Sequence, residues 1–308
     1  MSTSLDTSAQ TGTDTLCQPV VMITGASSGL GLATARQLLA KGDCRLILTA
    51  RSASIPRFAA AGLLESDRVR LLPLDVALPD ERAKAVIAAE AAWGQVDVLV
   101  NNAGVAYRTV AEHIDDQAWQ HIMEVNCRAP LDLTTRLLPG MRQRRMGRII
   151  NISSVGGMMA MPTMALYSAA KFALEGLSES LWYEVRPWGI DVVLVEPGFI
   201  HSESFRNTLF TRRSFRSVVD DHDPYHAQYH AMSAFIERLM EKTIATPEGV
   251  AKVVVRAIRS SSPPLRIHAT IDATVFGLMR RFLPRGLYHR FLYACLPHVR
   301  AHALPENP

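Results

Sequence analysis

The sequence predicts an α/β protein with a doubly wound, seven-stranded parallel sheet and helices on both faces. Short apolar runs alternate with helical stretches along most of the chain, which is typical of this class. The apolar runs are nearly continuous, as expected for strands that are buried on both faces. The 308 residues are 48% hydrophobic and 20% charged, so the chain can bury a full core.

Seven strands and five long helices are expected in alternating order. The strands are Val20–Thr24, Arg45–Ala50, Val69–Leu74, Val96–Val100, Arg148–Ile152, Ile190–Val195 and a weaker Leu265–Ala269. The helices are Gly29–Ala40, Asp80–Trp93, Asp116–Met141, Thr163–Arg186 and Pro247–Arg259. The sequence contains no internal repeat, and no long linker separates these elements, so one domain is expected.

That domain is expected to span residues 19–270. Residues 1–18 are rich in Ser, Thr, Asp and Gln and are expected to form a flexible tail. A long insertion at about residues 199–246 follows the sixth strand and is expected to carry short helices and to cover the site as a lid. Residues 271–308 are expected to form a C-terminal helical extension.

The composition argues against several classes of function. The formal net charge of +4 is too small to indicate a nucleic-acid partner by itself. No run of about 18 apolar residues is present, so no transmembrane helix is expected. Residues 1–18 lack the basic start and apolar stretch of a signal peptide. The cysteines at positions 17, 44, 127 and 295 have neither metal-site nor disulfide spacing, which favours a reducing, cytoplasmic compartment.

A glycine-rich turn with the sequence TGASSGLG joins the first strand to the first helix. Gly25 permits a tight turn, Gly29 lets the backbone approach a pyrophosphate, and Gly31 allows close helix–strand packing. Backbone N–H groups at the helix N-terminus can then bind phosphate. The predicted cofactor contacts of this Rossmann-type turn are Gly25, Ser27, Ser28, Gly29, Leu30 and Gly31. A tight turn without a ligand is the alternative interpretation.

The end of the second strand indicates which dinucleotide binds. Sites for NAD place an acid there to accept from the ribose 2′-hydroxyl, but no acid lies between Asp43 and Glu65. Arg51 offers a guanidinium that can pair with a 2′-phosphate, so NADP(H) is predicted over NAD. A solvated surface arginine is the alternative. Asp75 and Val76, after the third strand, are expected at the adenine, although Asp75 can equally cap a turn.

A tyrosine and a lysine are the candidates for acid–base chemistry. Tyr167 and Lys171 are four residues apart on a predicted helix and so share one face. A free tyrosine has a pKa of about 10, and a neighbouring ammonium lowers it. Ser154, thirteen residues before Tyr167, can hold a substrate oxygen, with Ser153 as the competing candidate. Asn126 is a poor helix former inside a predicted helix, which indicates a polar role.

These motifs together resemble the short-chain dehydrogenase/reductase family, from about Pro19 to Ile200 and more loosely to Ala269. The motifs are TGASSGLG at Thr24–Gly31, NNAG at Asn101–Gly104, Asn126, ISS at Ile152–Ser154, YxxxK at Tyr167–Lys171 and PG at Pro197–Gly198. The serine-to-tyrosine spacing is that of the family and selects Ser154 over Ser153. The stretch Ser154–Pro162 and the long C-terminus look more like the steroid and retinol dehydrogenase branch.

The resemblance implies a mechanism and further cofactor contacts. Tyr167 exchanges a proton with the carbonyl or alcohol oxygen, and Ser154 holds that oxygen. Lys171 lowers the tyrosine pKa and binds the nicotinamide ribose, and Asn126 positions a water in a proton relay. The further cofactor contacts implied are Asn102, Ala103, Gly104, Pro197, Gly198, Ile200 and Ser202. In the family the long helices after the fourth and fifth strands pair between subunits, which implies a homodimer or homotetramer.

Apolar side chains around the predicted site indicate a hydrophobic substrate. The predicted substrate contacts are Ser154, Val155, Met161, Tyr167 and Phe199. Further pocket or lid residues are Met158, Leu166, Phe205, Leu209 and Phe210. Such side chains adapt to apolar ligands, although each can equally pack in the core. We expect an NADP(H)-dependent oxidoreductase that acts on a steroid, retinoid or lipid-like alcohol, ketone or aldehyde. The alternatives are a non-catalytic NADP-binding sensor and a membrane-associated scaffold.

Two further patterns have no place in this mechanism. His222, His226 and His230 recur every four residues, but Pro224 interrupts the run, so no metal site is predicted. Residues 276–293 interleave apolar groups with four arginines. Two alternatives remain open there: weak, reversible contact with an anionic membrane, or a cover over the substrate pocket or a subunit interface.

Overall fold

The computed structural model describes residues 18–201 and 207–297. The predicted tail lies outside these ranges apart from Gln18, as do Ser202, Phe205 and the last part of the C-terminal extension.

In the described ranges seven strands form one sheet, in which every neighbouring pair is parallel. The strands are β1 (Val20–Ile23), β2 (Arg45–Ala50), β3 (Val69–Pro73), β4 (Val98–Asn101), β5 (Gly147–Ile152), β6 (Ile190–Glu196) and β7 (Arg266–His268). Their order across the sheet is β3-β2-β1-β4-β5-β6-β7. The first three strands are added outward from β1 on one side, and β4 to β7 are then added outward on the other side, so the strand order reverses at the boundary between β1 and β4. The predicted fold class is confirmed.

Helices connect the strands on both faces of the sheet. Those in the described ranges are α1 (Gly29–Lys41), α2 (Pro56–Ala60), α3 (Pro79–Trp93), α4 (Asp116–Met123), α5 (Ala129–Arg144), α6 (Ala165–Val185), α7 (Arg212–Val219), α8 (His226–Lys242), α9 (Pro247–Arg259), α10 (Ile271–Phe282) and α11 (Arg285–Cys295). None of these helices is both long enough and apolar enough to cross a bilayer.

Alternating strand residues divide the core into two layers, because successive side chains of a strand point to opposite faces. Val21 and Ile23 of β1 pack in the layer that contains α1 and α9. Val20 and Met22 pack in the layer that contains α3, α5 and α6. Both faces of the central strands are therefore buried, which explains why these strands are nearly continuous apolar runs in the sequence.

The single helix predicted at Asp116–Met141 is wrong in one respect. A π-helical turn, Glu124–Arg128, separates α4 from α5 and carries Asn126. Pro130, in the first turn of α5, has no N–H to donate to the carbonyl of Asn126, and its ring would clash there in a regular helix. The wider turn relieves this conflict, and π-turns of this kind are frequent at functional sites.

A fully buried arginine fixes this wide turn against the sheet. Arg82 of α3 contacts Glu124 Oε1 at 2.7 Å and Asp132 Oδ2 at 2.6 Å, and it also donates to the carbonyl of Val76. Burial raises the pKa of Asp132, but hydrogen bonds from Arg82 and Arg136 outweigh that effect and hold it below its usual value. The ion pairs thereby link the end of β3 to the start of the turn that carries Asn126.

The insertion after β6 packs on the segment of residues 105–114. The backbone N–H of Val110 donates to the Tyr229 hydroxyl of α8 at 3.0 Å, and that hydroxyl donates to Ser214 of α7 at 3.0 Å. The His113 ring lies 3.1 Å from the same hydroxyl. Buried polar contacts, rather than apolar packing alone, therefore hold α7 and α8 in place.

Candidate active site

The glycine turn after β1 is held by the loop after β4. The Thr24 hydroxyl accepts from the N–H groups of Asn102 and Ala103, both at 3.0 Å. The Asn102 side chain donates to the carbonyls of Thr24 and Gly25 at 2.9 and 3.1 Å. A Cβ on Gly31 would lie 2.5 Å from the same Asn102 amide, so only glycine leaves room for this contact. Asn102, predicted as a cofactor contact, thus supports the turn itself.

The turn leaves the N-terminus of α1 open to an anion. Gly25 and Gly29 both have positive φ, at +63° and +53°, a backbone conformation that favours glycine. Ser28 is the N-cap residue, but its side chain makes no capping hydrogen bond, and the first turn of α1 contains no acid. Free N–H groups and the positive end of the helix dipole make such a terminus a phosphate site.

The side chains predicted to bind the adenosine half lie at the ends of β2 and β3. Arg51 is exposed directly after β2, and its guanidinium forms no hydrogen bond or ion pair with any other described residue. Asp75 lies after β3, where its Oδ1 accepts from the N–H of Ala77 at 3.0 Å. The Val76 side chain is buried in the core. One oxygen of Asp75 therefore caps a turn, as the alternative interpretation expected. The guanidinium of Arg51 remains available to a ligand.

Ser154 and Tyr167 meet at the end of β5. Ser154 precedes a 3₁₀ turn at Val155–Gly157, and its Oγ accepts from the N–H of Gly156 at 3.1 Å. Its hydroxyl lies close enough to Tyr167 to act on the pKa of the phenol. A Cβ on Gly156 would lie 2.8 Å from the Tyr167 ring, so the close approach requires glycine. Ser153 is instead buried, and its hydroxyl donates to Glu175 Oε1 at 2.7 Å.

Lys171 is buried one helical turn beyond Tyr167. Its Nζ donates to the carbonyl of Ile152 at 2.8 Å and lies 5.8 Å from the centroid of the Tyr167 ring. Burial lowers the pKa of Lys171 to about 8, against the effects of Glu175 and Cys127, which raise it. The ammonium is thus close to its titration point at physiological pH.

The pKa of Tyr167 differs from the sequence-based expectation. Burial raises it above the ordinary tyrosine value, and the neighbouring Ser154 hydroxyl acts in the opposite direction. The Nζ of Lys171 donates to the Ile152 carbonyl and lies 5.8 Å from the centroid of the Tyr167 ring, so its attraction for a phenolate is weak. Desolvation of the phenolate outweighs the attraction of a cation at this distance.

Asn126 uses its side-chain amide to hold the loop after β4. Its Oδ1 accepts from the N–H of Val105 at 2.9 Å, and its Nδ2 donates to the carbonyl of the same residue at 2.7 Å. A Cβ on Gly104 would lie 3.3 Å from the Asn126 Oδ1 and 4.0 Å from the Lys171 Nζ. The π-turn therefore brings Asn126 to the same small region as Lys171.

A buried carboxylate cluster behind Lys171 was missed in the sequence. Glu175 and Glu196 each contact Arg266 Nη1 at 2.7 Å, and Glu196 Oε2 lies 2.7 Å from His268 Nδ1. Burial and the neighbouring Glu175 raise the pKa of Glu196. The sequence signal for Glu175 was present, because it continues the four-residue spacing of Tyr167 and Lys171. Arg266 is 91 residues away from Glu175, so nothing local pairs them.

Two polar residues at the start of α10 fix the turn after β6. The N–H of Gly198 donates to the Thr270 hydroxyl, and the N–H of Phe199 donates to Asp272 Oδ2, both at 2.8 Å. The Pro197 carbonyl accepts from the N–H of Val155 at 2.8 Å, which joins this turn to the one after Ser154. Thr270 and Asp272 were not identified from the sequence, since their partners are more than 70 residues away.

The predicted substrate residues fall into two groups. Val155 is buried in a cluster with Met159, Ala273 and Tyr288, against which Met161 packs. Leu166 is fully buried against Tyr107 and Ile122, in agreement with the core-packing alternative for this residue. Met158 is also buried, Phe199 and Ile200 are half-buried, and Leu209 and Phe210 are exposed.

Two other features lie apart from this site. His226 and His230 lie side by side, and each bonds a carbonyl of α7, while His222 is exposed. No cluster of three or more His, Cys, Asp or Glu that could hold a metal ion occurs in residues 18–201 and 207–297. A surface cavity of about 690 Å³ is lined by residues of α4 and the π-turn, including Trp119 and Arg128, but not by Ser154, Tyr167 or Lys171.

Comparison with known proteins agrees with this arrangement. The sequence profile of the short chain dehydrogenase family matches residues 19–212. Human 17-beta-hydroxysteroid dehydrogenase type 1 is 32% identical over 286 residues, which are 87% of this chain and 80% of that protein. Human retinol dehydrogenase 8 is 32% identical over 285 residues, covering 89% and 90% of the two chains. The chain is therefore similar to the steroid and retinol dehydrogenase branch.

A solved structure has the same fold. The crystal structure of a metagenomic short-chain oxidoreductase in complex with NADP superposes with a TM-score of 0.61 at 28% sequence identity. The match covers 82% of this chain and 97% of that chain.

The titration of Lys171 tests the electrostatics of the site without any substrate. With five lysines in the chain, side-chain NMR on lysine-labelled protein resolves the Lys171 signal, assigned by Lys171→Arg. We expect a midpoint near pH 8 in the wild type and a lower midpoint in Glu175→Gln, because the glutamine removes the carboxylate charge that raises this pKa. Glu179→Gln, one turn further along α6, is the matched control. An unchanged midpoint in Glu175→Gln contradicts the assignment.

Proposed function

Because this chain belongs to the short-chain dehydrogenase family of oxidoreductases, we propose that it interconverts a hydrophobic alcohol and its ketone or aldehyde with NADP(H). The observation that carries the proposal is the close approach of Ser154 and Tyr167 around Gly156, with Lys171 buried one helical turn beyond Tyr167. These groups follow β5 and lie on α6, at the edge of the sheet where α/β proteins bind ligands.

The side chains have complementary roles in the proposed reaction. The bound nicotinamide would supply or accept the hydride. The Ser154 hydroxyl would hold the substrate oxygen, and Tyr167 would give its proton to that oxygen in the reducing direction. A raised pKa keeps the phenol protonated at neutral pH, which is the form that donates. Lys171 would bind the ribose, and Asn126 would hold the loop and position a water of the relay.

The cofactor proposal rests on the fit of the turn and of Arg51. The glycine turn has no room for side chains at Gly25 and Gly31, and its helix N-terminus has free N–H groups and no acid nearby. We propose contacts from this turn and from Ala103, Gly104, Pro197, Gly198 and Ile200; Ser202 lies outside the described residues. NADP(H) is favoured over NAD because the guanidinium of Arg51 is exposed and has no partner among the described residues.

Apolar surroundings and the relatives support a hydrophobic substrate. Three apolar side chains in the segment after Ser154 are buried, those of Val155, Met158 and Met159. Met161 is half-buried beside them. The similar human proteins are named for a hydroxysteroid and for retinol. We therefore propose a steroid, retinoid or lipid-like substrate, with Ser154, Val155, Met161, Tyr167 and Phe199 as its contacts.

Assembly as a homodimer or homotetramer is proposed from the outer faces of α5 and α6. Leu131 on α5 and Phe172 and Leu177 on α6 are exposed apolar side chains. These are the helices that the family resemblance places at a subunit interface. A cytoplasmic location is proposed from the cysteine pattern alone.

Replacing Tyr167 with Phe tests the proton transfer. The ring still packs beside Gly156, but the ionisable oxygen is gone, so we expect kcat for ketone reduction to fall by about a thousandfold or more. NADPH binding, followed by nucleotide fluorescence, should change little. Tyr183→Phe, an exposed tyrosine on the same helix, is the matched control. If the Tyr167 variant turns over substrate nearly as fast as the wild type, another group transfers the proton. If the wild type binds NADPH but shows no turnover, the alternative of a non-catalytic NADP-binding sensor is supported.

Replacing Arg51 with Asp tests the choice of cofactor. The change removes a phosphate-pairing cation and introduces a group that repels phosphate and accepts from a free 2′-hydroxyl. We expect the preference for NADPH over NADH, measured as a ratio of kcat/KM, to fall by about a hundredfold or more. Arg57→Asp is the control because it changes the charge equally at a nearby exposed site. An unchanged ratio in Arg51→Asp rules out this residue as the discriminating group.

A further inference from the structure

The helix α10 has an exposed apolar face that the fold does not use. Ile271, Val275, Leu278 and Phe282, here called the C-terminal stripe, are 70%, 48%, 49% and 71% exposed. We propose that this stripe and the arginines beside it dock the protein on an anionic lipid bilayer. Membrane binding itself does not depend on the proposed function. Its role, which is access to a substrate dissolved in lipid, rests on that function.

The spacing of the stripe places it on one face of the helix. Its residues are separated by four, three and four positions, so they lie within an arc of about 60° at 3.6 residues per turn. The opposite face of α10 already packs on the domain, where Phe276, Met279 and Leu283 contact the cluster around Val155 and Met159. One alternative from the sequence was that Phe276, Leu278, Phe282 and Phe291 cover the substrate pocket or a subunit interface. Of these four side chains, only Phe276 packs against this cluster.

Basic side chains flank the C-terminal end of the stripe, whereas Asp272 lies at the other end of α10 and accepts from the N–H of Phe199. Arg281 lies next to Phe282, with its guanidinium carbon 5.5 Å from the ring centroid, and Arg285 follows three residues later. No Asp or Glu occurs in residues 273–297. The next helix adds the exposed apolar side chains Leu287 and Phe291. Apolar groups bordered by cations are complementary to acyl chains beneath anionic headgroups.

The length of α10 determines how it can meet a bilayer. Its 12 residues span about 18 Å, against roughly 30 Å for the hydrocarbon core. A helix of this kind lies in the plane of the membrane surface rather than crossing it.

The position of α10 connects this surface to the candidate active site. Asp272, at its N-terminus, holds the backbone of Phe199, and Arg280 donates to the carbonyl of Met158. The inward face of α10 packs against Val155, the residue after Ser154. Docking through the stripe therefore places the bilayer on one side of α10 and the site on the other, within reach of an alcohol or ketone that partitions into lipid.

Co-sedimentation with vesicles tests the proposal on the full-length protein. Binding is measured on phosphatidylcholine vesicles with and without phosphatidylserine, at low and at high salt. We expect binding that requires phosphatidylserine and weakens with salt. Val275→Ser/Leu278→Ser/Phe282→Ser should lower the partition coefficient by about tenfold or more, and Arg281→Gln/Arg285→Gln by roughly 25-fold at low salt and much less at high salt. Ile87→Ser, 68% exposed on α3, is the matched control and should bind as the wild type does.

The outcomes separate this proposal from the proposed function. Thermal unfolding verifies that each variant is folded. Reduction of a water-soluble ketone by NADPH should be unchanged in the stripe variant and in the arginine variant. Equal sedimentation of wild type and variants, or equal binding to vesicles with and without phosphatidylserine, overturns the proposal whether or not the enzyme is active. Self-association in the absence of lipid that the stripe substitutions abolish assigns the surface to a second copy and also overturns it.

Discussion

The parallel pairing of β1, β4, β5 and β6 brings the ends of four strands to one edge of the sheet, and each part of the candidate site depends on that edge. The register places Asn101 beside Asn151, whose side chains are hydrogen-bonded at 2.8 Å. One residue beyond this pair, Asn102 holds the glycine turn after β1. Beyond β5 and β6, the Val155 N–H bonds the Pro197 carbonyl. Each loop is thus fixed by a hydrogen bond to its neighbour, and no loop is positioned alone.

The crossover helices add the groups that act on protons. One helix, α6, carries Tyr167, Lys171 and Glu175 at intervals of four residues, so their side chains share one face beneath the strand ends. Burial then determines their titration: it raises the pKa of Tyr167 and lowers that of Lys171. The carboxylate of Glu175 opposes the second effect and is itself held by Ser153 and Arg266.

Most of the fold followed from local patterns in the sequence. The strands begin and end within two residues of their predicted limits because buried parallel strands are apolar runs that turn residues interrupt. The glycine turn and the tyrosine–lysine spacing were predictable for the same reason, since each depends on neighbours in sequence. The π-turn was not, because it combines Pro130 with ion pairs from Arg82, about 40 residues earlier. The partner of Glu175 and the core position of Leu166 likewise depend on contacts between distant segments.

The central claim is that the residues at this sheet edge direct a hydride from NADPH to a hydrophobic carbonyl. The most direct measurement follows deuterium from NADPH labelled at the transferable position of the nicotinamide into the product of a steroid ketone. The account predicts one deuterium on the carbinol carbon for each NADPH consumed. Alcohol without deuterium at that carbon, or no consumption of NADPH across a set of hydrophobic ketones and aldehydes, would contradict it.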